Sequence, residues 1–282
     1  MLTKGFRWYL LVNSSGTKVK FTKTFPYYII ALALNNLTPG KIGGEPVRAY
    51  LLKAEEKVPV GQSIASIFAE KIMDMIIIST MAVIGAFFII PLLTPTAARF
   101  LIIILAAVIG SIVVAIIIIS NSNLLKRTMD KSVTIAQKVS KKDSVIKLTD
   151  AITGFIERFR FGMNQILKAK RNAATCISLT VIIWINESLR LFIILLALPN
   201  VVGISLGGVF IAASIANILG ITLPGGAGNI LGIGTVFLAL GMDPNHATAA
   251  SILHVATSIW ISVPFGVIAM MLTGFRFSKM NK

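Results

Sequence analysis

The stretch Asn35-Asn36-Leu37-Thr38-Pro39-Gly40-Lys41-Ile42-Gly43-Gly44-Glu45-Pro46-Val47-Arg48-Ala49-Tyr50-Leu51-Leu52 interrupts an apolar segment with three glycines and two prolines, and it closes the interruption with Glu45 and Arg48. Residues without side-chain bulk and residues without an N–H do not continue a helix, so backbone polar groups are freed beside two charges. In a membrane such backbone persists only where protein buries it or where it lines a wet cavity. A second copy of the pattern lies far downstream: Pro39-Gly40-Lys41-Ile42-Gly43 is matched by Pro224-Gly225-Gly226-Ala227-Gly228, and each follows an apolar run containing Asn (Asn35 and Asn36; Asn217). Paired Gly/Pro-broken hydrophobic segments in the two halves of a chain point to a transporter-type site.

The rest of the composition fits that setting. Of 282 residues, 55% are hydrophobic and 13% charged, which marks a polytopic all-α membrane protein with two Gly/Pro-broken re-entrant segments rather than a soluble domain. The formal charge of +16 belongs to topology and anionic lipid headgroups, not to nucleic acid. One cysteine and two histidines make neither a disulfide framework nor a metal-binding spacing, so no metal and no cofactor is implied.

Residues 1–10, with Trp8 and Tyr9, read as an interfacial helix at headgroup level rather than a signal peptide. The apolar run 27–37 is too short to span, because a spanning helix needs about 20 residues. Basic residues flank it on both sides (Lys18, Lys20, Lys23; Lys41, Arg48, Lys53, Lys57), which puts both ends in the cytoplasm and predicts a re-entrant half-helix. Spans are expected over 60–90 and 100–120. Residues 121–171 hold twelve basic residues against Asp130, Asp143, Asp150 and Glu157, so this loop within a single membrane domain (1–282) reads as cytoplasmic. Inside it, Val145, Leu148, Ile152, Phe155, Ile156 and Phe159 recur at helical spacing, predicting an amphipathic helix that lies on the inner leaflet or packs under the bundle. Spans over 172–198 and 247–273 follow, the last ending in cytoplasmic basic residues. The pieces 204–223 and 230–240 between them flank the second break. Parity then requires that break to open from the outer face, opposite to the first. The two hairpins would meet near the midplane, where freed helix ends offer N–H groups to an anionic headgroup.

The intramembrane charges need an explanation, since inserting each costs about 3 kcal/mol on translocon scales. Glu70 and Asp74 share one face of the 60–90 helix and repel unless a cation sits between them. Arg48 is the expected partner of one or the other, with Lys71 pointing elsewhere toward the headgroups. Glu187 and Arg190, three apart, are expected to pair within their own helix. His254 is given a minor role. No nucleophile-and-base set and no Gly-Lys-Ser/Thr phosphate loop is present, so a catalytic assignment is not made and the chain reads as a transporter rather than an enzyme.

The motifs Leu37-Thr38-Pro39-Gly40, Gly43-Gly44-Glu45-Pro46-Val47-Arg48, Glu70-Lys71-Ile72-Met73-Asp74 and Leu223-Pro224-Gly225-Gly226-Ala227-Gly228 resemble those of the flippase-like membrane family that shares the transmembrane region of lysylphosphatidylglycerol synthases. The resemblance covers about residues 8–275. It implies a lipid-handling role: relatives fused to an aminoacylating domain translocate the modified phospholipid, and archaeal relatives are linked to lipid-carried sugar assembly. Members usually carry apolar helix ahead of the region matching Trp8. Relatives also commonly have an acidic residue just after the second glycine motif and an arginine in the last span, where this chain has Leu231 and Val255.

The expectation is therefore a cell-membrane lipid translocase whose substrate-binding residues are Glu45, Arg48, Glu70 and Asp74, with Pro39, Gly40, Gly43, Gly44, Pro224, Gly225, Gly226 and Gly228 shaping the breaks and Glu187 and Arg190 contributing. Arg48, a planar bidentate donor, would hold a lipid phosphate. The alternative is an accessory subunit or enzyme of lipid-linked glycan assembly. Partners are membrane lipids and their anionic headgroups; a lipid-modifying enzyme and a second copy of the chain are further candidates.

Overall fold

The structure is a computed structural model, and it describes residues 1–38, 41–92, 94–120, 142–199 and 205–274. Among these there is no strand. In chain order the α-helices are α1 (Leu2–Ser14), α2 (Phe21–Leu37), α3 (Gly44–Glu56), α4 (Val60–Ile89), α5 (Pro95–Ser120), α6 (Lys142–Lys168), α7 (Lys170–Ala197), α8 (Leu206–Thr222), α9 (Ala227–Ala239), α10 (Pro244–Val255) and α11 (Ile261–Thr273). A π-helical turn, Ala256–Trp260, joins the last two, so Pro244–Thr273 runs as one rod. That rod, α4 and α7 are long and apolar enough to cross a membrane. Large apolar side chains stand outward along these helices, among them Phe87, Phe88, Ile185, Ile193 and Leu272. A helix that is apolar all round suits a lipid environment.

α4 gives the bundle its axis. Its first turns pack under α6: a Cβ on Gly61 would lie 2.7 Å from the Phe155 carbonyl oxygen, and Phe68 meets Phe159 edge-on. The amphipathic helix thus packs against the bundle, and it is longer than the apolar repeat alone indicated. At the other end of α4, Ala86 and Ile89 join a core with Leu191, Leu195, Val209 and Phe237. Basic residues of the α1–α2 connection, the end of α3 and the α6–α7 junction gather at the first end. The turns at Ile90–Leu92 and Leu240–Pro244 mark the second.

Both interrupted segments form antiparallel helical hairpins. In the first, α2 and α3 touch backbone to backbone: a Cβ on Gly44 would lie 2.0 Å from the Ala31 carbonyl oxygen. In the second, α8 and α9 do the same, with a Cβ on Gly228 lying 2.0 Å from the Leu219 carbonyl oxygen. Only glycine allows so close an approach. Leu223 ends α8 in an extended conformation, and Gly225 and Gly226 turn the chain at φ 65° and 89°. α9 therefore returns beside α8 instead of crossing with a kink. Pro39 and Gly40, on which half of the first break rests, lie outside the described residues, as does the 121–141 part of the basic loop. The base of the first hairpin is at the basic end of α4. The base of the second is at the other end, where Gly207 packs against Phe88 and Gly85.

One expectation fails here. Residues 1–10 do not lie at an interface: Trp8 is 0% and Arg7 1% exposed. α1 runs inside the bundle between α2, α4 and α7. Its buried residues Arg7, Trp8, Leu11 and Ser14 fall at helical spacing, and Arg7 answers an electrostatic demand made by α4.

Candidate functional site

Two polar clusters occupy the middle of the bundle, and their chemistry differs. The first is a ladder of charges. The Glu70 carboxylate bridges two guanidiniums, accepting from Arg7 NH2 through Oε1 at 2.8 Å and from Arg48 NH1 through Oε2 at 2.8 Å. Arg7 also donates to both oxygens of Asp74, at 2.6 and 3.0 Å, and to Thr180 Oγ1 at 2.9 Å. Trp184 Nε1 completes Asp74 at 2.9 Å. Arg48 donates through Nε to Glu45 Oε2 at 2.6 Å and lies over the rings of Trp8 and Tyr28. Lys71 Nζ reaches Glu45 Oε1 at 2.9 Å.

Three carboxylates thus face Arg7, Arg48 and Lys71 in a neutral, interlocked set that bolts the first hairpin to α1, α4 and α7. Arg48 pairs with Glu70 as expected, but Arg7, not Arg48, is the cation between Glu70 and Asp74. Lys71, its side chain 45% exposed, pairs with Glu45 at the rim of the set. Arg48 is 2% exposed, and its Nε, NH1 and NH2 all meet carboxylates, so it has no edge to offer a phosphate here. Two backbone donors of the first break are likewise taken: Gly44 N–H donates to Asn35 Oδ1 at 2.8 Å and Gly43 N–H to Thr38 Oγ1 at 3.1 Å. The capping side chains, supplied by the end of α2, occupy the place expected for a headgroup.

The second cluster surrounds a cavity of about 340 Å³, which is within the range of small-ligand pockets, about 300–1,000 Å³. α1 contributes Lys4, the tip of the first hairpin Lys41, α7 Glu187 and Arg190, and α10 His254; asparagines come from α2, α7, α8 and α9. Glu187 is clamped between Lys4 Nζ at 2.7 Å and Arg190 of its own helix, as the spacing predicted. Arg190 NH2 stands 3.2 Å from His254 Nε2. A guanidinium only donates, so Nε2 accepts and the ring proton sits on Nδ1.

Lys41, at φ 50°, extends from one hairpin tip to the other, donating to Asn229 Oδ1 at 3.0 Å. A Cβ on Gly220 would stand 2.5 Å from Lys41 Nζ and 2.4 Å from Asn229 Oδ1, so a larger residue there would displace this contact between the tips. The cavity wall carries three cationic side chains against one carboxylate.

Of the residues expected from the sequence, Glu45, Arg48, Glu70 and Asp74 come together in the ladder and Glu187 and Arg190 in the cavity. Gly43, Gly44, Pro224, Gly225, Gly226 and Gly228 build the hairpins without lining the cavity. Trp184 belongs to both clusters. Sequence reasoning missed Arg7, Lys4, Asn229 and the role of Lys41. Charge balance signals that a further cation is needed, because three carboxylates against Arg48 leave a deficit of positive charge, but it does not single out Arg7.

Residues 1–266 match the family described as the lysylphosphatidylglycerol synthase TM region. This chain belongs to that family. The chain is also similar to UPF0104 membrane proteins. One, from Methanothermobacter thermautotrophicus, is 27% identical over 97% of this chain and 82% of its own length. Another, from Methanocaldococcus jannaschii, is 27% identical over 97% and 81%. A third, from Pyrococcus horikoshii, is 24% identical over 94% and 81%. No solved structure matches. At the two positions where the resemblance led us to expect an acidic residue and an arginine, Leu231 is exposed and Val255 is buried, with Val255 Cγ1 2.5 Å from where a Cβ on Gly226 would be. Val255 therefore serves as packing for the second turn.

Proposed function

We propose that this protein is a multi-pass lipid translocase of the cell membrane, in which the two hairpins are re-entrant and the cavity between their tips receives the lipid headgroup. The basic loop 121–171 and the C-terminus face the cytoplasm in this reading. One observation carries it: a polar, positively charged cavity lies where two broken hairpins from opposite ends of an apolar bundle meet. Substrate sites of repeat-built transporters lie at such a meeting point. A headgroup moving through hydrocarbon loses its hydration, and fixed donors such as Lys41 replace it. The ladder supports the same reading as the rigid part against which a headgroup site is held.

Reconstitution tests this. In liposomes carrying acyl-chain-labelled phosphatidylglycerol, the protein is expected to raise the fraction of label extracted from the inner leaflet to the outside by albumin, and Lys41→Gln to abolish most of that gain. Extraction no greater than in protein-free liposomes would overturn the reading.

A further inference from the structure

We infer that the cavity selects a phosphate-bearing, hydroxyl-rich, amine-free headgroup, such as phosphoglycerol or another phospho-polyol. The inference rests on the translocase reading only for the headgroup's being attached to a lipid.

The wall supplies two kinds of group. The first is positive charge: Lys4, Lys41 and Arg190 against Glu187. Glu187 is already held by Lys4 and Arg190, whereas the contact of Lys41 is the neutral Asn229 oxygen. Among the described side chains of the wall, Lys41 is thus the cation left to a phosphate.

The second kind is neutral and accepting. The orientation of three asparagines follows from their partners. Asn36 commits its amide N–H to Ser262 Oγ at 2.7 Å, because that hydroxyl donates to the Ile259 carbonyl oxygen. Asn217 commits its N–H to the Ala213 carbonyl oxygen at 2.8 Å. Asn229 turns its oxygen to Lys41. The groups left over on these cavity-lining residues are the carbonyl oxygens of Asn36 and Asn217 and the amide N–H of Asn229.

Carbonyl oxygens want donors, and a phosphate has none. A hydroxyl or an ammonium does. The charge decides between them: an ammonium seated beside Lys4 and Lys41 meets two like charges in a dehydrated cavity, a cost a hydroxyl escapes. Phosphate against the lysines and hydroxyls against the asparagine oxygens satisfy both halves of the wall. Choline, ethanolamine and aminoacyl headgroups satisfy one half and clash with the other.

Two experiments on the full-length protein separate the ideas. In detergent, binding of soluble probes is read by the shift in thermal unfolding against concentration. Glycerol 1-phosphate is expected to bind about tenfold more tightly than inorganic phosphate or phosphoethanolamine, one or two neutral hydrogen bonds and one avoided repulsion being of that size. Lys41→Gln should weaken glycerol 1-phosphate and phosphate alike, and Asn217→Leu should remove the preference for the former while leaving phosphate binding unchanged. Lys41→Arg, which keeps the charge, controls for folding.

In liposomes, acyl-chain-labelled phosphatidylglycerol should cross faster than labelled phosphatidylethanolamine, and soluble glycerol 1-phosphate should compete. Equal binding of all three soluble probes, or tighter binding of phosphoethanolamine, would overturn the inference whether or not lipid moves. The predicted order of binding with no lipid movement would uphold the ligand class and sink the translocase reading, pointing to a free phospho-polyol as the source. Movement of all lipids at one rate would sink the selectivity and leave translocation standing.

Discussion

The ladder and the cavity are both charged clusters within one apolar bundle, a few residues apart on α1 and α7, yet they are built on opposite principles. In the ladder every carboxylate meets a guanidinium or ammonium, and Glu70 meets two guanidiniums. Exposure is nearly nil for Arg7, Arg48 and Glu70. In the cavity, cations outnumber the one carboxylate and open space adjoins them. A buried charge is tolerable only when paired and hydrogen-bonded. The ladder meets that condition from within. The cavity leaves part of it for something that enters. The difference teaches which intramembrane charges to read as structure and which as a site: completeness of pairing separates them, and residue type does not.

The largest effect should come from breaking the ladder. Arg7→Met leaves Asp74 with only Trp184 and Glu70 with one guanidinium, and it should lower unfolding stability in detergent by about 3–5 kcal/mol. Adding Asp74→Leu should recover part of that loss. Strict additivity of the two changes in a double-mutant cycle would show that the pair is not coupled.

Next comes Gly220→Ala. Its methyl group overlaps Lys41 Nζ and Asn229 Oδ1, the ends of side chains that can swing aside, so it should break the contact between the tips at about 1 kcal/mol of stability. It should also reproduce the transport loss of Lys41→Gln. Unimpaired transport would show that the contact between the tips is dispensable.

Lys41→Gln itself should cost less than about 1 kcal/mol, since it removes one neutral-acceptor hydrogen bond, while it abolishes most phosphate binding. A stability loss as large as that of Arg7→Met would erase the distinction between the two regions.

The smallest effect on ligand binding is expected from Glu187→Gln. It releases Lys4 and Arg190 and makes the cavity more positive, so phosphate should bind a few-fold more tightly in the soluble-probe assay. Weaker binding would mean that Glu187 positions those cations rather than merely offsetting them.

Much of the fold was legible in the residues because its signals are local. Apolar length marked α4, α7 and the Pro244–Thr273 rod, and the observed bounds lie within a few residues of those expected. Glycine and proline marked both turns, since glycine takes the positive φ of Gly225 and Gly226 without strain and alone permits the contacts at Gly44 and Gly228. The i,i+3 pair of Glu187 and Arg190 is also a property of one helix. Asp243 capping α10 through the Asn245 and His246 N–H groups is equally local and went unread only because the apolar run was taken as the start of the helix.

Tertiary structure alone decided the partners across helices. Arg7 lies 63 and 67 positions from its two carboxylates, in a short segment whose mixed composition resembles a surface helix. Nothing near it in the chain says that it is buried. The same holds for Lys41 and Asn229, separated by 188 positions. Sequence reasoning correctly required a cation beside Glu70 and Asp74 because a dehydrated dielectric makes isolated charge costly. It could not name that cation, because several long side chains could meet the same demand. Which one does so depends on the packing of α1 between α2, α4 and α7, and that packing is set by shape, through Trp8, Leu11 and the close approaches the glycines permit.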